Sequence, residues 1–296
     1  MKVMTVKISV GIPALNEEKT IGQLLKTLLN QSLEDAVLGE VIVETSGSTD
    51  ATEKKVKEII ASDSRIKIIS ERGRRGKSAT LDTILKHARE EVIVFIDGDA
   101  FLGDNCVSAL IKPLIDDRKV GVASGTVLSK MEENHFFGFL SHFIREQHRE
   151  LCTYLTKRNM APKVDGTFYA VRKSVVGGFP TRVVSDDEYA SWRAQSKGYR
   201  VVYVPDAVVY AEDPASFKGF IKWQKRIIAG QMYMKKHFNY LVPTTKASVL
   251  LPIFLKLSRK HWRRLHHVLT LLLLEAVSSI LSFRMLLQHK VPYIYG

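Results

Sequence analysis

The sequence predicts an α/β fold in which a mainly parallel sheet is flanked by helices and followed by a helical C-terminal tail. Short β-branched runs alternate with helical patterns through the first 100 residues, which is typical of α/β sheets. The last 56 residues are instead both basic and strongly apolar. Of the 296 residues, 45% are hydrophobic and 25% are charged, which are globular proportions that exclude a largely disordered chain.

Four short runs rich in Val and Ile are predicted to be buried parallel strands, because their apolar character is nearly continuous. They cover residues 8–12, 41–43, 66–69 and 92–96. Amphipathic helical patterns lie between them, at residues 17–30, 49–60 and 78–88. Strands joined by helical crossovers place their carboxyl ends at one edge of the sheet, where ligands of such folds bind.

The loops that follow these four strands carry the chemistry of a nucleotide-diphosphate site with a divalent metal. They are residues 13–18, 44–50, 72–78 and 97–100. Together they hold carboxylates, small hydroxyl residues, glycines and a cluster of cations. Each loop alone is equally well explained as a helix cap or a turn. Their succession at four strand ends favours a functional site.

One loop resembles a phosphate-binding P-loop but lacks its spacing. Gly76 and Lys77 stand before a predicted helix, and the motif requires a glycine five residues before this pair. Position 71 is Glu71, and the preceding glycine is Gly73. We therefore reject an ATPase of the P-loop type, although cations at a helix N-terminus still suit a phosphate.

Taken in order, these loops and later segments resemble the inverting family 2 glycosyltransferases, which have the GT-A nucleotide-diphospho-sugar transferase fold with a Rossmann-like sheet. The resemblance covers about residues 8–230. Its segments are 12–17 (IPALNE), 47–52 (GSTDAT), 76–82 (GKSATLD), 97–100 (DGDA), 166–172 (GTFYAVR), 185–187 (SDD) and 203–207 (YVPDA). The resemblance implies transfer of a sugar, with inversion, from a UDP- or GDP-linked donor.

The resemblance also implies roles for individual residues. Asp99 would bind Mg²⁺ or Mn²⁺, Asp97 would help to place the metal or the ribose, and Asp187 would be the catalytic base. Asp186 is the second candidate for the base. The acceptor side would include Gly166 and Thr167. The donor would be bound by Pro13, Ala14, Asn16, Glu17, Ser46, Gly76, Lys77, Asp97, Gly98 and Arg226.

Two departures from the family pattern affect the donor and the product. The family usually has an Asp-Asp pair before Gly-Ser-Thr-Asp, whereas this chain has Thr45 and Ser46, which puts the identity of the nucleotide in doubt. The Q-x-x-R-W motif of many polymerising members is replaced by residues 223–227 (WQKRI), where Arg226 is kept and could hold the diphosphate. This second departure argues against a polysaccharide-extruding synthase.

The segment 134–154 combines phenylalanines with histidines. Phe136, Phe139, Leu140 and Phe143 share one helical face, which suits either core packing or a surface for a lipid-linked acceptor. The three histidines in the segment are seven and six residues apart, which is not the usual spacing of a helical ligand pair. We therefore expect solvated or packed histidines rather than a metal site.

We divide the chain into a catalytic domain, residues 1–240, and a tail, residues 241–296, that is predicted to associate with an anionic membrane surface. The tail holds eight Lys/Arg and one acid, a net charge of +7 of the chain's +13. Cations recur through residues 247–265, as in an interfacial helix. Residues 268–287 are about long enough to span a bilayer, but Glu275 and Arg284 are costly there. Interfacial helices, a single span, soluble packing and a homodimer contact all fit this pattern.

Taken together, these patterns predict an enzyme at the cytoplasmic face of the cell membrane with a lipid or glycan acceptor and no nucleic-acid partner. Two other functions fit parts of the sequence. A sugar-phosphate nucleotidyltransferase would show a glycine-rich loop after the first strand, which residues 11–14 (GIPA) do not supply. A non-catalytic membrane-binding protein on a degenerate transferase fold is opposed by the intact acidic motifs. Two cysteines exclude a disulfide scaffold, and residues 1–10 show no secretory signal.

Overall fold

The computed structural model describes residues 6–45, 47–71, 73–181 and 183–287, and an eight-stranded sheet lies at its centre. The strands are β1 (Val6–Pro13), β2 (Ala36–Glu44), β3 (Ile66–Ile69), β4 (Val92–Ile96), β5 (Phe101–Leu102), β6 (Val120–Ser129), β7 (Phe168–Arg172) and β8 (Arg200–Ala211). The helices are α1 (Ile21–Leu29), α2 (Thr52–Ile60), α3 (Lys77–His87), α4 (Cys106–Asp116), α5 (Phe136–Lys157), α6 (Lys173–Val176), α7 (Asp186–Ser196), α8 (Phe217–Phe238), α9 (Ala247–Lys260) and α10 (Leu265–Leu287).

The strand order in the sheet is β3-β2-β1-β4-β7-β6-β8-β5. The four strands predicted from the sequence form its parallel half, β3-β2-β1-β4. The sheet as a whole is mixed, because β7 runs antiparallel to both β4 and β6 and β5 runs antiparallel to β8. The strands β1 and β4 are buried on both faces, which agrees with their nearly continuous apolar sequences.

The reversed strand β7 positions the functional edge of the sheet. Its first residue, Phe168, pairs with Ile96, the last residue of β4. The residues before β7 therefore meet the loop after β4, and the Asp97 amide donates to the Thr167 carbonyl at 3.0 Å. Segments about 70 positions apart in the sequence are neighbours at this edge because β7 enters it from the opposite direction.

Two helices begin later than the sequence pattern suggests. The pattern places helix starts at residues 17 and 49, whereas α1 begins at Ile21 and α2 at Thr52. The intervening residues form a network between the two loops instead: the Glu17 amide donates to Thr52 Oγ1 at 2.7 Å. The Glu18 amide donates to Asp50 Oδ2 at 3.1 Å. These hydrogen bonds satisfy amides that a longer helix would have placed within its first turn.

Three hydrophobic clusters hold the layers together. One lies between the sheet and α1, α2 and α4, and a second lies between the opposite face and α3 and α7. The third joins α5 and α8 to the tail helices α9 and α10. Phe139, Leu140 and Phe143 are buried in this third cluster, so core packing explains that aromatic face of the segment 134–154. Within the described residues, no group of three or more potential metal ligands includes the histidines of this segment.

The tail packs against the rest of the chain and leaves an apolar face exposed. Lys256 and Lys260, two of the cations that recur through residues 247–265, pair with Glu150 and Glu146 of α5, at 2.9 and 2.5 Å. The exposed apolar side chains are Leu251, Leu255, Trp262, Leu265, Leu269, Leu272, Leu273, Val277, Ile280 and Phe283, which we call the tail face. In the described part of the chain, one helical stretch, Trp262–Arg284, is long and apolar enough to cross a membrane.

Candidate active site

A cleft of about 460 Å³ opens where β1 and β4 end and β7 begins. Most of the residues selected from the sequence line it: Pro13, Ala14, Glu17, Gly76, Lys77, Asp97, Gly98, Asp99, Gly166, Thr167, Asp186, Asp187 and Arg226. Three of the four strand-end loops contribute, together with the N-terminus of α7 and one face of α8. The expected convergence is therefore present for three of the four loops, and the described residues of the loop 44–50 are not part of this lining.

Asn16, which is predicted to bind the donor, is not among the described residues that line the cleft, and neither is Thr45, the neighbour of the predicted Ser46. Asn16 is exposed outside the cleft lining, and its Oδ1 accepts a hydrogen bond of 2.8 Å from the Thr49 amide. It adopts a left-handed backbone conformation, φ 59°, which asparagine tolerates. Thr45 is fully buried and donates to Glu53 Oε1 at 2.8 Å, so its hydroxyl is engaged within the protein. Ser46 lies outside the described residues.

Asp97 is tied to Lys77 at the floor of the cleft. Lys77 Nζ lies 2.6 Å from Asp97 Oδ1 and donates to the Gly166 carbonyl at 2.9 Å. Burial raises the pKa of Asp97 to about 6 against the opposing effect of Lys77, and Asp99 adds to the increase. Burial alone would lower the pKa of Lys77, but the neighbouring Asp97 and Asp186 carboxylates raise it, so the lysine stays charged.

Three carboxylates, those of Glu17, Asp97 and Asp99, line the cleft near one another. Burial, together with the charges of Asp99 and Asp97, raises the pKa of Glu17 to about 7. Such a concentration of carboxylate oxygen suits a hard divalent cation. Among the described residues, no group of three or more side chains is arranged to hold a metal unaided. Mg²⁺ in proteins is commonly bound by one or two carboxylates together with substrate phosphates.

The first turn of α7 brings two aspartates to the cleft. Asp186 is buried, and its Oδ2 accepts a hydrogen bond of 3.2 Å from the Tyr169 hydroxyl. Asp187 is half-buried, and both burial and the charge of Asp186 raise its pKa. A methyl group added at Gly166 would lie 3.4 Å from Asp187 Oδ2 and 3.5 Å from Lys77 Nζ. Gly166 therefore lies close both to the Asp187 carboxylate and to the Lys77 ammonium that pairs with Asp97.

The adjacent Glu188 is distinct from these two aspartates. Its side chain is 2% exposed and lies outside the cleft lining. Burial raises its pKa, and a hydrogen bond with Gln231 of α8 opposes that increase. One carboxylate oxygen of Glu188, Oε2, has no hydrogen-bond partner among the described residues.

The sequence analysis missed several residues that line the cleft, among them Arg145, His148, Lys163 and Asp165. Arg145 pairs with Asp165 at 2.9 Å and with Asp213 at 2.9 Å. Burial lowers the pKa of His148 to about 4, so it is neutral at physiological pH. These partners are 20 and 68 positions from Arg145, and no local pattern in the sequence marks them.

The mixed sheet and the acidic cleft at its edge define a GT-A transferase fold. Residues 9–176, more than half of the chain, match the family model described as glycosyl transferase family 2. The chain therefore belongs to glycosyltransferase family 2.

Curated relatives are larger than this chain. It is 26% identical over 249 residues to the probable glycosyltransferase YdaM of Bacillus subtilis, covering 78% of this chain and 57% of that protein. It is 24% identical over 223 residues to poly-beta-1,6-N-acetyl-D-glucosamine synthase of Staphylococcus aureus, covering 72% and 51%. The chain thus spans about half the length of the curated relatives it matches.

Two solved structures share the fold. The mannosyltransferase PcManGT from Pyrobaculum calidifontis, in complex with GDP-Man and Mn²⁺, has a TM-score of 0.63 and 24% identity, covering 97% of this chain and 81% of that chain. Glucosyl-3-phosphoglycerate synthase from Mycobacterium tuberculosis, in complex with Mn²⁺, UDP and phosphoglyceric acid, has a TM-score of 0.51 and 22% identity, covering 77% and 78%. Both likenesses extend over most of the chain, the first of them including the tail.

Proposed function

We propose that this protein is an inverting glycosyltransferase that moves a sugar from a UDP- or GDP-linked donor to an acceptor hydroxyl or phosphate. One observation carries the proposal: the carboxylates of Asp97, Asp99 and Asp187 line the same cleft, and a Cβ at Gly166 would lie 3.4 Å from Asp187 Oδ2 and 3.5 Å from the Lys77 Nζ that pairs with Asp97. Inversion needs a leaving group and an attacking group on opposite faces of the anomeric carbon. Asp97 and Asp99 would serve the leaving group, and Asp187 would serve the attacking group.

Asp97 and Asp99 are proposed to hold the divalent cation, Mg²⁺ or Mn²⁺. When bound, the cation would neutralise the charge that develops on the departing nucleoside diphosphate. Two solved structures of the same fold, one with GDP-Man and Mn²⁺ and the other with UDP and Mn²⁺, support this assignment. Lys77 fixes the Asp97 carboxylate, and Arg226 of α8 adds positive charge at the cleft. Pro13, Ala14, Gly76 and Gly98 would bring main chain close to the donor.

Asp187 is proposed as the base that accepts the proton of an acceptor hydroxyl. It lines the cleft, is only half-buried and has a raised pKa, which makes it a stronger base than an ordinary carboxylate. Asp186 is less suited, because it is 6% exposed and one of its oxygens already accepts the Tyr169 hydroxyl. Gly166 and Thr167 would form the acceptor side of the cleft.

Calorimetric binding of UDP and GDP, each with and without Mn²⁺, tests the donor and metal assignments. We expect metal-dependent binding of one nucleotide, its loss in Asp99→Asn, and its retention in Asp187→Asn with transfer abolished. Asp104→Asn is the matched control, because Asp104 is exposed and outside the cleft lining. Full transfer by both cleft variants would contradict the site. Vesicle binding without any nucleotide binding would favour the non-catalytic alternative.

The acceptor is proposed to be a lipid or a lipid-linked glycan at the cytoplasmic membrane face. The tail face supports this, since apolar patches of that extent mark interaction surfaces. Arg259 and Arg263 are exposed beside it, and neither has a carboxylate partner among the described residues. We favour an interfacial position over a single span, because α10 packs along α8 and α5 through Val268, Leu271 and Leu274.

A further inference from the structure

Arg145 is placed between two carboxylates from different parts of the chain. Its Nη1 donates to Asp165 Oδ2 and its Nη2 to Asp213 Oδ1, both at 2.9 Å. The three side chains are 12%, 16% and 2% exposed, so this is a buried arrangement beside the cleft. A guanidinium presents its donors in a rigid planar fork, so one such group can hold two carboxylates in a fixed relative geometry, whereas the flexible lysine ammonium acts as a point charge.

The Asp165 carboxylate links Arg145 to the main chain that borders the cleft. Its Oδ1 accepts a hydrogen bond of 3.0 Å from the Thr167 amide. The carbonyl of Thr167 accepts the Asp97 amide at 3.0 Å, and that of Gly166 accepts Lys77 Nζ at 2.9 Å. The loop 165–167 is therefore fixed on one side by Arg145 and itself fixes both members of the Lys77–Asp97 pair.

The other terminal nitrogen of Arg145, Nη2, contacts the segment that leads into α8. Asp213 lies between the end of β8 and the start of α8. The helix then contributes Trp223, Arg226 and Ile227 to the cleft lining. Arg145 of α5 thus connects the loop before β7 with the segment that leads into α8, and both that loop and α8 line the cleft.

We propose that Arg145 is a positioning residue, which acts through Asp165 and Asp213 to hold the loop 165–167 against Asp97 and to set the spacing between that loop and α8. The local restraint does not depend on the activity proposed above, whereas its effect on turnover rests on that activity. A purely structural ion pair would instead contribute to global stability without a specific effect at Asp97.

Amide hydrogen exchange of the ligand-free protein tests the restraint directly. We expect Arg145→Lys to speed exchange of the Asp97 and Thr167 amides by about tenfold or more, while amides in β1 and β2 keep their protection. Arg200→Lys is the matched control, because Arg200 pairs with Asp117 in an exposed Arg–Asp contact away from the cleft. Equal exchange at Asp97 in Arg145→Lys and in the wild type would overturn the proposal, as would a uniform increase over the whole sheet.

Kinetics provide a second measurement that separates positioning from general destabilisation. Asp165→Asn keeps the shape of the side chain and an acceptor for Thr167 but removes the charge that Arg145 contacts. We expect kcat to fall by about tenfold or more with a smaller change in the donor KM, and Arg145→Lys to retain more activity than Arg145→Ala. Unchanged kcat in both Asp165→Asn and Arg145→Lys would overturn the proposal. If wild-type protein has no transferase activity, only the proposed function fails, and the exchange experiment still decides the role of Arg145.

Discussion

The Asp187 carboxylate illustrates how a residue in the cleft acquires its chemistry from neighbours that are distant in sequence. Burial and the adjacent Asp186 raise its pKa, while Lys163 and Lys77 lower it. An ordinary aspartate is fully ionised but weakly basic at neutral pH, and a moderate increase in pKa improves it as a base without protonating it there. The balance of these charges therefore sets the pH range in which the proposed base is active.

Lys163→Gln should move the acid side of the pH–rate profile to higher pH. The lysine stabilises the ionised form of Asp187, so its removal raises the Asp187 pKa. Because the base must be ionised, kcat/KM should then decline at a pH higher by roughly half a unit to one unit. The profile of kcat/KM from pH 4.5 to 8 measures this. Lys197→Gln, at an exposed surface lysine, should leave the profile unchanged. A lower rate with an unshifted profile would remove Asp187 from the role of base.

The residues that could be identified from the sequence are those that directly follow a strand or open a helix. Asp97 and Asp99 come after a buried apolar run, and Asp187 lies in the first turn of α7, so short local patterns mark all three. Arg145 is different, because it lies in the middle of α5 and its partners are supplied by two later segments. Tertiary contacts alone give that arginine its place beside the cleft.

At the scale of secondary structure, continuous apolar runs predict strand cores well and strand ends poorly. The run 92–96 coincides with β4, whereas β2 extends from Ala36 to Glu44 beyond the predicted 41–43. Glu40 interrupts the apolar pattern of β2 but is buried, pairs with Lys67 at 2.7 Å and accepts the Ser9 hydroxyl at 2.8 Å. The direction of β7 has no local signature, since antiparallel pairing with β4 depends on the connection through α5.

Gly125→Ala should destabilise the junction of β6 with β7 and β8. A Cβ there would lie 2.4 Å from Cδ1 of the buried Phe168 ring and 2.8 Å from the Ala207 carbonyl oxygen. Overpacking of this kind costs about 1–3 kcal/mol in the free energy of unfolding. Urea unfolding followed by circular dichroism measures the change. Gly22→Ala is the control, because nothing lies within 4 Å of a Cβ at that helical site. There we expect a small gain in stability, and equal effects at both sites would contradict this packing argument.

At the scale of the whole molecule, one face of the tail packs against α5 and α8, and the other face is exposed. Val268, Leu271 and Leu274 of α10 are buried against α5 and α8, while Leu269 and Leu273 are 59% and 64% exposed. The sequence identified this segment as basic and apolar, but it could not separate the two faces. The structure does so because α8 and α5 cover one side of the helix.

The variant Leu269→Glu/Leu273→Glu should lose binding to anionic vesicles. Each exposed leucine would contribute about 1.5–3 kcal/mol when buried in the membrane interface, so the pair should weaken binding by at least roughly a hundredfold. Flotation with phosphatidylglycerol vesicles, compared with phosphatidylcholine vesicles, measures this. Val37→Glu is the control, because Val37 is an exposed apolar residue of β2 outside the tail. If wild-type protein does not float but forms a dimer that the double variant abolishes, the tail face is a contact between two copies.

The central position of β7 has a consequence for how the chain is made. During synthesis on the ribosome, β1 to β4 emerge well before β7, yet β7 is the strand that covers the outer side of β4. About 70 further residues must leave the exit tunnel before that edge is paired, and an open strand edge invites pairing with other chains. Nascent chains that stall between residues 97 and 168 are therefore the ones we expect to recruit chaperones or to aggregate.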